Sequence, residues 1–196
     1  MLPFPSPFHV GIDICQISRI RALIASRYGL RFLNRIFSAE EQKAYAARLA
    51  PAYSLARAAA ATAAAAAKTR PLAENNETVL VTKPPQTTAA EKSKDDVPLE
   101  SAIRLVAGRF AAKEAAFKAH PLHRLGFHDV HILHRAIIHH AETSRTSLSQ
   151  NGGSSAPCAV IQASPPFTTQ AQEARISISH DGDYATAVCI GFVAPA

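Results

Sequence analysis

Three stretches of this chain carry side chains that could do chemistry together. Lys113-Glu114-Ala115-Ala116-Phe117-Lys118-Ala119 sets a carboxylate and an ammonium at i,i+4 inside an apolar helical run. Asp13 stands between Ile12 and Ile14, where an ionised carboxylate is costly unless it is paired or bound to a cation. Ser177-Ile178-Ser179-His180-Asp181 ends an alternating strand with an imidazole aimed toward a tight turn. Two such acids, Asp13 and Glu114, suit Mg²⁺, which takes a few carboxylates and fills its octahedron with water and phosphate oxygens. Lys118 would supply the counter-charge for a diphosphate. The chemistry implied is transfer of a phosphate-containing group.

Each feature taken alone has a plainer explanation. Asp13 could cap a helix beginning near Ile17. Glu114 and Lys118 have the spacing of a surface ion pair worth a few tenths of a kcal/mol, although Phe110, Ala111, Ala112, Ala115, Ala116 and Phe117 around them imply a half-buried setting. A lone His180 is commonly a structural hydrogen-bonder. His120, His123, His128, His131, His134, His139 and His140 show no repeated two-on-one-face pattern, so no transition-metal site is read there. Cys15, Cys158 and Cys189 sit at wide spacing among apolar neighbours and read as buried thiols in a reducing, intracellular compartment.

The elements that must position these residues follow from the pattern. With 196 residues and 47% hydrophobic content, the chain makes one domain with a real core rather than two. Phe8 to Ile14 reads as a strand in which Gly11 permits close backbone approach. Ile17, Ile20, Leu23, Ile24 and Tyr28 recur at helical spacing, with Gly29 as the stop and Arg19, Arg21 and Arg27 on the opposite face. Ser38 and Glu41 form a capping box opening a helix to about Leu49. Leu99 to His120 is the strongest helix, with Ile103, Val106, Phe110 and Phe117 on one face and Glu114 and Lys118 at its flank.

Val130 and Ile132 mark a strand that Ala136 to His140 would extend, and Ala159 to Ala163 marks another. Arg175–Ser179 and Thr186–Val193 form a hairpin turned by Asp181-Gly182-Asp183. Residues 52–98 read as an insertion, an alanine-rich peripheral helix and then a loop rich in Pro, Thr, Lys and Glu. A second flexible loop is read at 143–156. Helices early and antiparallel strands late give an α+β domain spanning 1–196.

Net charge of +6 favours an acidic or phosphorylated partner. No apolar run reaches the ~20 residues that span a bilayer, so no membrane association is expected. Met1 to Pro7, with three prolines and no basic residue, reads as neither signal nor transit peptide.

Gly11-Ile12-Asp13 with Arg19-Ile20, then Gly108 through Ala119, then Ser177-Ile178-Ser179-His180-Asp181 with Tyr184-Ala185 resemble the holo-acyl-carrier-protein synthases. These are the small single-domain class of 4′-phosphopantetheinyl transferases, and Arg35-Ile36-Phe37-Ser38 with Glu41 adds a weaker match. The resemblance implies an antiparallel sheet with a long central helix, assembled as a homotrimer with sites between neighbours. It also implies Mg²⁺-dependent transfer of 4′-phosphopantetheine from coenzyme A to a serine of an acyl carrier protein, with adenosine 3′,5′-bisphosphate as the other product. Under it, Asp13 and Glu114 would hold Mg²⁺ as catalytic residues, and Lys118 would stabilise the diphosphate charge. Glu114 is also a candidate base for the carrier serine. Ser179 and His180 would contact the nucleotide end of coenzyme A. Arg19, with Arg21, Arg27 and Arg31, would meet the acidic carrier. Inserts of this kind are familiar in fungal members, which suggests a mitochondrial carrier.

Two other functions compete. A non-catalytic basic module for nucleic acid or anionic ligands would explain the charge, but not the two acids in apolar settings. Its basic patch also lacks the interleaved aromatics that stacking on bases requires, so nucleic acid is not expected. A catalytically weak relative kept as an assembly subunit is disfavoured because every matched polar position is present.

Overall fold

The computed structural model describes residues 8–68, 96–121, 124–134, 156–162 and 170–192. The sequence order is β1 (Phe8–Gln16), α1 (Ile17–Ile24), α2 (Gly29–Ile36), α3 (Ala39–Ala44), α4 (Ala46–Lys68) and α5 (Asp96–Ala119). A 3₁₀ turn at Phe127–Asp129 leads into β2 (Val130–His134), β3 (Pro157–Ile161), β4 (Gln172–Asp181) and β5 (Tyr184–Phe192). The five strands form one antiparallel sheet in the order β1-β5-β4-β3-β2. The architecture is α+β, as the pattern predicts, with α5 laid across β1 and β5.

α5 is enclosed nearly all round, which a one-faced reading of its periodicity does not anticipate. Ala102, Ala107, Ala111, Ala112, Ala115, Ala116 and Ala119 are buried on it beside Ile103 and Val106, while Phe110 and Phe117 are half-buried. Small side chains let the helix lie close to the sheet. At Gly11 the approach is closest, since a Cβ there would stand 1.9 Å from the Ala115 carbonyl oxygen. Glycine is required at this crossing.

Beneath α3 lies a buried polar knot. Lys113 Nζ donates to Glu41 Oε2 (2.5 Å), the Ile36 carbonyl (2.6 Å) and the Phe127 carbonyl (2.7 Å). Glu41 Oε1 accepts from Ile132 N (2.9 Å), and Oε2 also accepts from Ser38 N (3.0 Å), closing the capping box predicted there. Beside it, Arg109 donates to Tyr45 Oη (3.0 Å), which donates to the Ile132 carbonyl (3.1 Å). Burial pulls the Lys113 ammonium below its ordinary pKa, against the opposing pull of Glu41. The knot joins α2, α3, α5 and β2.

Boundaries differ from the pattern in two places. Gly29 opens α2 instead of ending the first helix, because α1 stops at Ile24 and the chain turns through 25–28. The helix begun at Ser38 breaks at Tyr45 and resumes as α4, whose Leu49, Ala52 and Ala56 are buried. The alanine run is thus anchored at its start and exposed further on. The strand extension at 136–140 and nearly all of 143–156 lie outside the described residues, as does the insertion's loop up to 95, while 96–98, read as the end of that loop, already form the first turn of α5.

Candidate functional site

Strand alternation aims Asp13 inward. Gly11 and Cys15 on the same face of β1 are buried against α5, whereas Val10, Ile12 and Ile14 point away from it. Asp13 is therefore half-buried at the β1–α5 contact and its isoleucine neighbours are not, the reverse of an acid sunk in an apolar strand. Lys118 reaches across from the last turn of α5. Its Nζ donates to Asp13 Oδ1 (2.8 Å) and to the Ile12 carbonyl (2.9 Å).

Glu114, one helical turn before Lys118, faces the same place. Burial first, and then the Asp13 charge, push its carboxyl above the ordinary value, while Lys118 and Arg35 pull it down. The structure thus brings together Asp13, Glu114 and Lys118. Among the described residues no group of three or more His, Cys, Asp or Glu could hold a metal ion. Two hard carboxylates crowding each other are nevertheless a fitting partial shell for Mg²⁺, whose remaining positions water and phosphate oxygens supply. A cation there would offset the burial and the Asp13 repulsion that together raise Glu114.

Around Glu114 the packing gathers side chains that spacing within α5 alone does not bring together. Phe110, Phe117 and Phe127 make a ring cluster with centroids 5.8 Å (Phe110–Phe127) and 5.2 Å (Phe117–Phe127) apart. Arg35 lies over Phe127 at 5.7 Å and Arg19 over Phe110 at 6.0 Å. Contacts between α2 and the 3₁₀ turn create this wall, and neither element has a strong sequence signal.

His180 occupies a second place. It lines a cavity of about 590 Å³ together with Arg48, Arg104, Gly108, Arg109 and His134. Its Nε2 is 2.9 Å from the Arg104 carbonyl. Arg109 Nε, buried beside the cavity, has no hydrogen-bond partner among the described residues. Along α5 the cavity's lining ends at Arg109, five residues or about 7.5 Å before Glu114, so this basic cavity neighbours the acid pair without including it. Ser179 does not join His180 there. Strand alternation turns it to the opposite face, in register with Thr186 and Ile14.

The three arginines also divide. Arg19 is exposed on α1, Arg21 pairs with Glu100 of α5, and Arg27 falls beyond the helix, stacked on Tyr28 at 4.6 Å. Arg31 is exposed on α2. All three cysteines are buried, and burial lifts the Cys189 thiol to about 11.

The chain aligns over 196 residues with the mitochondrial 4′-phosphopantetheinyl transferase B of Aspergillus fumigatus, at 29% identity and 97% coverage of both. This chain is similar to a phosphopantetheinyl transferase throughout. A shorter match, 47% identical over 48 residues, joins 24% of the chain to 30% of the holo-[acyl-carrier-protein] synthase of Nitrosococcus oceani. Among solved structures, the Chronobacterium ammoniagenes ACPS–CoA complex superposes with a TM-score of 0.48 at 20% identity, covering 96% of this chain and 98% of that one. No protein-family model matches the chain. The resemblance seen in the motifs thus extends well beyond them.

Proposed function

We propose that this chain transfers 4′-phosphopantetheine from coenzyme A to a serine hydroxyl of an acyl carrier protein, releasing adenosine 3′,5′-bisphosphate. The observation that carries the reading is the meeting of Asp13, Glu114 and Lys118 at one contact of strand and helix. The full-length similarity to a phosphopantetheinyl transferase supports it. Glu114, its carboxyl raised toward working pH by burial and by Asp13, accepts the serine proton as that oxygen attacks the phosphorus bearing the pantetheine arm. The bond to the adenosine-side phosphate breaks as the new one forms. Lys118 holds charge on the diphosphate from the position it now shares with Asp13. Mg²⁺, held by Asp13 and Glu114, would neutralise the same diphosphate.

His180, Arg104 and Arg109 suit the phosphorylated nucleoside end of coenzyme A, whose charge Arg109 Nε would meet. Exposed Arg19 suits an acidic carrier helix. The outward face of β1 and β5 leaves Phe8, Val10, Ile12, Ile14, Ile190 and Phe192 exposed. An apolar strip of this kind fits packing of further copies as a homotrimer, in which one chain's basic cavity and a neighbour's acid pair could complete a site. The similar Aspergillus enzyme is named mitochondrial, and we place this chain in the same compartment.

Intact-mass spectrometry of an apo carrier tests the activity. Incubation with coenzyme A and Mg²⁺ adds one phosphopantetheine mass, EDTA or Glu114→Ala stops the addition, and Arg19→Ala weakens carrier use. A carrier left unmodified by the wild-type chain would refute the reading. Sedimentation velocity of the free protein, resolving three chains or one, tests the assembly.

A further inference from the structure

The helix that carries Arg19 has no cap of its own. Gln16, at its N-cap, makes no side-chain capping bond, and its first turn holds no acidic residue. Eight residues are too few for such a helix to persist by itself in water. Its N-terminal donors are met from the far end of the chain. Asp183 Oδ1 accepts from Ser18 N (2.8 Å), and Oδ2 accepts from Ser18 Oγ (2.6 Å) and Gln16 Nε2 (2.9 Å). The Asp183 carbonyl accepts from Ile17 N (2.7 Å).

The same two-residue turn reaches a second helix. Gly182, at a φ of 50°, presents its carbonyl to Arg104 Nη2 (3.3 Å). The Arg104 carbonyl in turn lies 2.9 Å from His180 Nε2. One hairpin turn therefore ties the start of α1 to the wall of the basic cavity.

We propose that Asp183 is a positioning residue for carrier docking, its carboxylate fixing the start of α1 and, through it, the placement of Arg19. The proposal rests on the reading above, in which Arg19 meets an acidic carrier. Arg19 directly follows Ser18, and its guanidinium stands over Phe110 and within 3.9 Å of Cys15 Sγ. Both contacts depend on a formed first turn. Without the Asp183 carboxylate, the Ser18 amide, the Ser18 hydroxyl and the Gln16 amide lose their acceptor together, and that turn frays. The cavity around His180 is lined from α4, α5, β2, β3 and β4, and the turn's contact to its wall is the Gly182 backbone carbonyl on Arg104, which loss of the Asp183 carboxylate leaves in place.

Steady-state kinetics with carrier and coenzyme A varied separately provide the test. Asp183→Ala raises KM for the carrier about tenfold, while KM for coenzyme A and kcat stay within about twofold. Asp183→Asn keeps an acceptor for Ser18 N and recovers part of the loss. Ser18→Ala gives a smaller rise, and adding it to Asp183→Ala costs little more, since both remove the same contact. An unchanged carrier KM in Asp183→Ala overturns the proposal. So do equal changes in both KM values and kcat with no recovery by Asn. Should Asp183→Ala fail to fold, Ser18→Ala decides on the same criterion.

If the wild-type chain modifies no carrier, the proposed activity fails separately. Amide exchange at Ile17 and Ser18 then reads the positioning directly. Faster exchange at Ser18 in Asp183→Ala, confined to α1, supports it, and unaltered exchange overturns it.

Discussion

Replacing Lys113 by Met removes the ammonium that pairs with Glu41 in the knot beneath α3 while keeping most of the side-chain volume. Lys113 and Glu41 have 0% exposed side chains, so nothing from solvent substitutes for the lost ammonium. Three acceptors lose the ammonium: the carbonyls of Ile36 and Phe127, and Glu41 Oε2, which keeps the Ser38 amide. Removing one partner of a buried ion pair costs about 3–5 kcal/mol, because the other charge is left uncompensated. Against a total of about 5–15 kcal/mol for a domain, that is a large share. With a urea m-value of about 2 kcal/mol/M, the unfolding midpoint falls by about 2 M.

Equilibrium urea unfolding followed by far-ultraviolet circular dichroism measures the shift. Glu41→Gln/Lys113→Met removes both charges and should cost less than the sum of the single changes, with a coupling of about 2 kcal/mol. A Lys113→Met midpoint within about 0.5 M of wild type would mean the stranded groups are easily rehydrated, and the reasoning fails.

Three further outcomes follow from the same structure. Glu114→Gln should abolish transfer yet raise the melting temperature by about 2 °C at pH 8, because the carboxyl's raised folded pKa is a cost absent below its unfolded value and fully present above the folded one; an equal gain at pH 4 would contradict this. Burial raises the Asp183 carboxyl, but hydrogen bonds from Ser18 and Gln16 outweigh it and leave the pKa below the ordinary 3.8, so its stabilisation holds above that value and is lost as pH falls through the folded pKa. Thermal melts of wild type and Asp183→Asn should therefore converge in acid, and a gap that widens there would refute the assignment. Gly11→Ala forces a methyl against the Ala115 carbonyl and should destabilise by about 3 kcal/mol or more, measured by denaturant unfolding; a neutral result would show that β1 and α5 separate easily.

What the sequence showed and what it hid divide on physical lines. Glu114 and Lys118 were legible as neighbours because i,i+4 spacing is a local rule, whereas Asp13 was singled out for its flanking isoleucines, which strand alternation turns to the opposite, exposed face. Gly11 was legible because close approach leaves a residue with no side chain. Ser179 was grouped with His180 by adjacency, whereas period-two alternation sends neighbours to opposite faces.

The cap of α1 was sought in Asp13, the nearest acid, and is supplied by Asp183 across a 165-residue separation that no local pattern encodes. Lys113 looked like one more charge beside Glu114. Its role depends on Glu41, Ile36 and Phe127 arriving from three other elements. Arg35 came to Glu114 in the same way, through the packing of α2 on a 3₁₀ turn.

The strand bearing Asp13 has a consequence for how the protein matures. β1 lies at the sheet's edge, and its hydrogen-bonded neighbour is β5, formed by some of the last residues described. A chain emerging from the ribosome therefore holds β1 unmated until β5 has been synthesised. The acid pair cannot assemble before that point, and a truncation that removes 184–192 should leave Asp13 on a strand without its hydrogen-bonded neighbour.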